Sequence, residues 1–150
     1  MKDTFKEPYE FLVRHKVAVL STANGKDDVW GAAIYYAVGE ALTFYFFTKK
    51  GSKKYQNILE NPHAALTIAD DTEQASVQAS GVIEEVPADE QNEAYQKLVL
   101  VHPQGEFSWK PPVSKMEGET ILLKLTPKVL QYANFKSDSH DSADHITRII

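Results

Sequence analysis

The stretch from Leu42 to Pro62 limits the possible folds of this chain more than any other. It joins an aromatic, β-branched run to a short helical pattern across a Gly51-Ser52 break. Leu42-Thr-Phe-Tyr-Phe-Phe-Thr48 has the composition of a strand. The residues from Lys53 up to Asn61-Pro62 read as a helix of about two to three turns. Four of the sixteen basic residues, Lys49, Lys50, Lys53 and Lys54, fall within six positions of a chain whose net charge is −5. Lysines in a first helical turn face the positive end of the dipole, at a cost of roughly 0.3–1 kcal/mol each. The first-turn N–H groups also lack acceptors within the helix. An anion seated there relieves both problems, which makes this junction the leading candidate site. The alternative is a solvated charged face, as most charge runs are.

Length and composition narrow the rest. At 150 residues, with 43% hydrophobic and 25% charged residues, the chain suits one globular domain with a real core. The acidic balance argues against nucleic acid as a partner. No cysteine is present, so disulfides, thiolate chemistry and cysteine-ligated metals are excluded. Charges interrupt the apolar residues of Met1-Lys-Asp-Thr-Phe-Lys-Glu-Pro8, and no apolar run approaches the ~18 residues of a membrane span. A cytoplasmic protein without membrane contact is expected.

Periodicity predicts the order of elements. Thr4 to Glu7 has capping-box spacing, and Phe5, Tyr9 and Leu12 share a face of a helix ending near Arg14. Val17 to Ser21 reads as a buried strand. Asn24-Gly25 is a type I′ hairpin signal, because both central residues of that turn need positive φ. Strands over Val29 to Val38 and Leu42 to Thr48, joined at Gly39-Glu40, complete an expected antiparallel meander. After the lysine-rich helix come strands from His63 to Ala69 and from Gln74 to Glu85, with Gly81 at a bend or bulge. A helix follows Pro87-Ala-Asp89, with Ala94, Leu98 and Val101 on one stripe. A breaker-rich loop runs from His102 to Pro112. Strands over Thr120 to Thr126 and Val129 to Ala133 precede a polar tail, which is expected to be disordered or to order on a partner. The reading is mainly β (α+β): a small antiparallel barrel of six to seven strands, its ends covered by two to three helices.

Phe46-Phe47-Thr48, then Gly51-Ser52-Lys53-Lys54, Asn61-Pro62 and a strand carrying Gly81 together resemble the pyridoxamine 5'-phosphate oxidase-like family of flavin-binding split barrels. The resemblance runs from about Phe11 to Phe135. It implies an FMN-binding split-barrel domain over 1–135, a polar C-terminal tail over 136–150, and FMN held at a homodimer interface. By the same likeness, Ser52, Lys53 and Lys54 hold the FMN phosphate, with Lys53 where many members have arginine. Phe47 and Thr48 sit beside the flavin, and the backbone at Ala33 and Ile34 runs along the ring. Ser76 and Gln78, on one face of their strand, reach the cofactor. Trp109 either anchors its Pro-rich loop on the core or lies against the flavin or the partner subunit. The expected activity is that of an oxidoreductase acting on a small molecule, with NAD(P)H as a candidate donor. The alternative is a non-catalytic protein of the same fold that binds, stores or senses flavin, haem or a deazaflavin.

The sequence also departs from the family. Gly31-Ala-Ala-Ile-Tyr-Tyr-Ala37 lacks the cationic side chains of the full-length oxidases, and Arg148 is the only late arginine. These departures argue against vitamin B6 oxidation itself, and the shorter general-stress-protein type is closer in length. No metal is expected, since His140 and His145, five residues apart, do not share a helical face. No Ser-His-Asp pattern or glycine elbow points to a hydrolase.

Overall fold

The computed structural model describes residues 1–101, 119–136 and 145–150. In chain order the elements are α1 (Asp3–Arg14), β1 (Val17–Ala23), β2 (Val29–Tyr35), β3 (Ala37–Val38), β4 (Phe44–Lys49), α2 (Lys53–Glu60), β5 (His63–Asp70), β6 (Ala75–Glu85), α3 (Gln91–Val101), β7 (Thr120–Asn134) and β8 (Ile146–Arg148). Every strand pairing is antiparallel, in the order β2-β1-β5-β6-β7-β4-β3, with β8 beside β7. β2 and β3 stand at opposite ends of that order, yet only Tyr36 separates them in the chain. The sheet therefore curls until its two edges approach, giving the expected split barrel with flanking helices.

Alternation builds the core. Ala18 and Leu20 of β1, Phe44 and Phe46 of β4, Leu66 and Ile68 of β5 and Val77 of β6 all point inward and are buried. α1 closes one side with Phe5, Pro8, Phe11 and Leu12, and α3 buries Ala94 and Leu98. The Tyr36 hydroxyl donates to the Leu12 carbonyl at 2.8 Å, tying α1 to the point where the curled sheet changes partners. Among the described residues, no helix is long and apolar enough to cross a membrane.

Several local expectations are corrected. α1 begins at Asp3, with Lys2 at its N-cap and no side-chain cap, so Thr4 lies inside the helix and the Thr4–Glu7 box does not form. The Asn24-Gly25 turn is not type I′, because only Gly25 has positive φ, at 81°. The hairpin is instead a longer loop, closed by Asn24 N–H to the Asp28 carbonyl at 3.2 Å and by Lys26 N–H to Asn24 Oδ1 at 2.9 Å. The meander also fails. The strand expected over Val29 to Val38 splits at Tyr36: β2 pairs with β1 and β3 with β4, while the other edge of β4 takes β7. β4 starts at Phe44 because Leu42, with φ of 60°, closes the preceding turn in the left-handed region.

The last two expected strands are one strand, β7, continuous from Thr120 to Asn134. Its pairing with β6 slips at Ser80/Gly81, so Lys128 is the extra residue of a bulge opposite the glycine. The end of the chain joins the sheet, since β8 pairs with β7 and Ile149 and Ile150 pack against the core. The His102 to Pro112 loop, with Trp109, and His140 lie outside the described residues.

An ion-pair cluster locks α1 to the β5–β6 turn. His15 Nε2 is 2.7 Å from Asp70 Oδ2, His15 Nδ1 is 2.7 Å from the Phe11 carbonyl, and Arg14 grips both oxygens of Glu73 at 3.1–3.2 Å. His15, Asp70 and Glu73 come within 4.8 Å of one another, but Arg14 already occupies Glu73. Hydrogen bonds from His15 and then from the Glu73 N–H hold the Asp70 carboxyl below its ordinary range. Because its folded-state value is depressed, the stability it adds is present above the ordinary carboxylate range and lost as pH falls through the folded value. Asp70→Asn should therefore flatten the acid limb of stability against pH and leave its shape near neutrality unchanged, as measured by urea unfolding at a series of pH values.

Candidate functional site

α2 exists because Ser52 caps it. The Ser52 hydroxyl accepts from the Tyr55 N–H at 3.3 Å and lies 3.0 Å from Thr48 Oγ1 at the end of β4. A cap of this kind stabilises a helix by about 1 kcal/mol. The turn entering the helix is closed by Ser52 N–H to the Lys49 carbonyl at 3.0 Å. Gly51 does not need glycine's conformational freedom here, and a Cβ on it would meet nothing within 4 Å. The backbone in front of the helix is thus open to close approach.

The buried polar side chains among the described residues are Thr22, Thr48, Ser52, Lys54 and Asn57, and all of them lie in α2 or against it. Asn57 donates to Thr22 Oγ1 at 3.2 Å, which fastens the helix to β1. Lys54 is only 8% exposed, and among the described residues it has no hydrogen-bond or ion-pair partner. Burial pushes its ammonium below the ordinary lysine value. The first turn of α2 contains no acidic residue. A buried cation without a counter-ion, at the positive end of a helix, is costly unless an anion completes it.

The other lysines differ. Lys53 Nζ donates to Asp28 Oδ2 at 2.6 Å and lies 5.6 Å from the centre of the Trp30 ring. Lys50 pairs with Glu119 at 3.1 Å. Thr48 and Ser52 are in hydrogen-bond contact and Lys54 is buried on the same helical turn, while Lys53 turns to the β1–β2 hairpin.

The remaining predicted residues fall elsewhere. Phe47 faces the opposite side of β4 from Thr48, edge-on to Tyr95 of α3 with ring centres 5.9 Å apart. Ile34 points into the core. Ala33 points outward, in a row that crosses the sheet through Val19 and Thr67 to Gln78. Ala33 and Gln78 are therefore three strands apart, roughly 14 Å. Gln78 donates to Ser76 at 3.3 Å on that outer face. Trp109 lies outside the described residues.

Thr22 and Asn57 escaped the sequence reading. Asn57 and Ile58 stand three and four residues after Lys54, the spacing of one helical face, and that was a usable signal. Thr22 gave none, since its role depends on the distant packing of α2 on β1. A separate cavity of about 340 Å³ lies against α1, lined by Glu7, Glu10, Arg14, Glu73 and Tyr132 among others. With Lys136 included, three glutamates face two cations, and the net negative charge is the wrong sign for a phosphate.

Solved structures share this architecture. The heme binding protein of Mycobacterium smegmatis superposes with a TM-score of 0.73 at 14% identity, covering 99% of this chain and 58% of that one. The chain thus spans less than two thirds of that protein's length. General Stress Protein 26 of Bacillus anthracis gives 0.61 at 18% identity, covering 85% of this chain and 92% of that one. A FAD-binding protein of Mesorhizobium loti gives 0.63 at 18% identity, covering 85% and 90%. At these identities the likeness is one of fold. No curated protein matches the sequence. The family model described as pyridoxamine 5'-phosphate oxidase matches residues 5–134, and the chain belongs to that family.

Proposed function

We propose that this protein is an FMN-binding flavoprotein, a homodimer that moves electrons to or from a small molecule. One observation carries the reading: Lys54, buried on the first turn of α2, has no counter-ion among the described residues. A phosphate monoester fits that position. Lys54 supplies the charge, the first-turn N–H groups supply donors, and the open backbone at Gly51 leaves room. Ser52 and Thr48 fix the turn that aims these groups. When bound, FMN would supply the two-electron chemistry that no side chain here can provide.

The outer face of the sheet supports the dimer. Val17, Val19 and Val29 are exposed on it beside Ala33 and Ala65. An apolar patch of short side chains suits burial against a second copy and close approach of a planar ring.

The test is uptake and discrimination. Protein incubated with FMN, riboflavin or haem and then gel-filtered should retain FMN, bind riboflavin more weakly, and elute at the mass of a dimer. A protein that stays colourless after FMN, or that binds FMN and riboflavin equally, overturns the reading. NAD(P)H-driven bleaching followed by reoxidation in air identifies turnover, and its absence favours the binding, storage or sensing role. The haem arm is included because a heme binding protein shares the fold.

A further inference from the structure

A carboxylate stands beside the first turn of α2, paired with Lys53. Asp28 ends the β1–β2 loop, and its Oδ2 accepts a hydrogen bond from Lys53 Nζ at 2.6 Å. Trp30 begins the inward face of β2 opposite Thr22, and the same ammonium lies 5.6 Å from the centre of its ring. Lys53 is therefore matched in charge and seated on an aromatic face, whereas its neighbour Lys54 has neither kind of partner among the described residues. The asymmetry follows from the helix. Consecutive residues point about 100° apart, so one lysine faces β1 and the other faces the hairpin.

We propose that Asp28 sets the affinity of the site for phosphate monoesters: it is an internal counter-ion that an entering phosphoryl group must displace from Lys53. This rests on the phosphate reading of the α2 N-terminus. The side chains of Lys53 and Asp28 are 45% and 41% exposed, so the pair is solvated and readily exchanged. Pairs of this kind shift an equilibrium by a factor of about 2 to 5. A phosphate monoester offers more charge and more acceptor oxygens than one carboxylate, so it takes Lys53 over. The Trp30 ring keeps the ammonium beside α2 during the exchange, because a cation is attracted to the indole face with or without Asp28. Without the displacement, Asp28 would repel the phosphate and bind up one of its two cations.

Calorimetric titration of the full chain with FMN and with riboflavin tests this. Asp28→Asn should tighten FMN by about 3- to 10-fold, combining release of the pair with removal of a like charge. Riboflavin, which has no phosphate, should change by less than about twofold. In the Lys53→Met background the Asp28→Asn gain should fall below about twofold, because no cation remains to be released and only the removal of a like charge is left. Unchanged or weaker FMN binding by Asp28→Asn overturns the proposal, as does an equal gain for riboflavin or a gain that survives Lys53→Met undiminished. These failures differ from failure of the phosphate reading, in which the wild-type protein itself does not prefer FMN to riboflavin and both proposals fall. Asp28 is exposed and its backbone carbonyl closes the loop, so the variant is expected to fold, with a melting temperature near wild type as the control.

Discussion

Lys54→Met is expected to weaken FMN binding by about 10- to 150-fold while riboflavin binding changes by less than about twofold. The range corresponds to about 1.5–3 kcal/mol for losing a charge-assisted hydrogen bond to the phosphate. The selectivity between the two ligands is the decisive readout, since a lysine that merely supports the fold would move both affinities together. Apo stability gives an independent check. Methionine keeps most of the apolar stem of Lys54 and removes a buried charge that lacks a partner among the described residues, so the variant should be as stable as wild type or more so. Burial lowers the folded-state value of Lys54, so the unfolded chain holds that proton more tightly. Wild-type stability should therefore rise as pH climbs from the lowered value towards the ordinary lysine value, and Lys54→Met should lose that rise. Saturation with FMN should reduce the rise in wild type, because a phosphate favours the charged amine.

Gly81→Ala should have the largest effect on stability, about 3 kcal/mol, and lower the melting temperature by about 6–12 °C. A Cβ at Gly81 would lie 2.0 Å from the Thr126 carbonyl oxygen, 2.8 Å from its carbon and 2.9 Å from Pro127 Cα. All three atoms are β7 backbone, so no side chain can rotate away. The strands must part at the bulge, in the long ladder that joins β6 to β7. Gly51→Ala is the control: its Cβ meets no atom within 4 Å and its φ is not positive, so thermal stability should hold. Equal melting temperatures for the two variants would contradict the close approach at Gly81. The same Gly51→Ala protein should bind FMN more weakly if the ligand comes against the backbone before α2.

Much of the fold was legible because its signals are local. Strand alternation, the stripe of α1, the Ala94–Leu98 stripe of α3 and the Asn61-Pro62 stop each act within one element. The Gly81 bulge was also readable, since an isolated glycine inside a strand pattern marks a bulge or a close approach of another backbone. Strand order was not. Short turns between Val17 and Thr48 suggested a meander, but β4 finds its second neighbour in β7, more than 70 residues later. That choice lets the sheet curl until its two edges approach, and no turn residue records it.

The candidate site divides in the same way. The residues alone determined a strand end, a short helix and a surplus of positive charge at the helix's positive end, because dipole and charge both depend on near neighbours in the chain. Only the tertiary structure decided which lysine matters and how. In sequence Lys53 and Lys54 are equivalent. Packing of α2 on β1, through Asn57 and Thr22, buries Lys54 and turns Lys53 out to Asp28 and Trp30. Desolvation and pairing are properties of surroundings, and those surroundings come from the β1–β2 hairpin, more than 20 residues away in the chain.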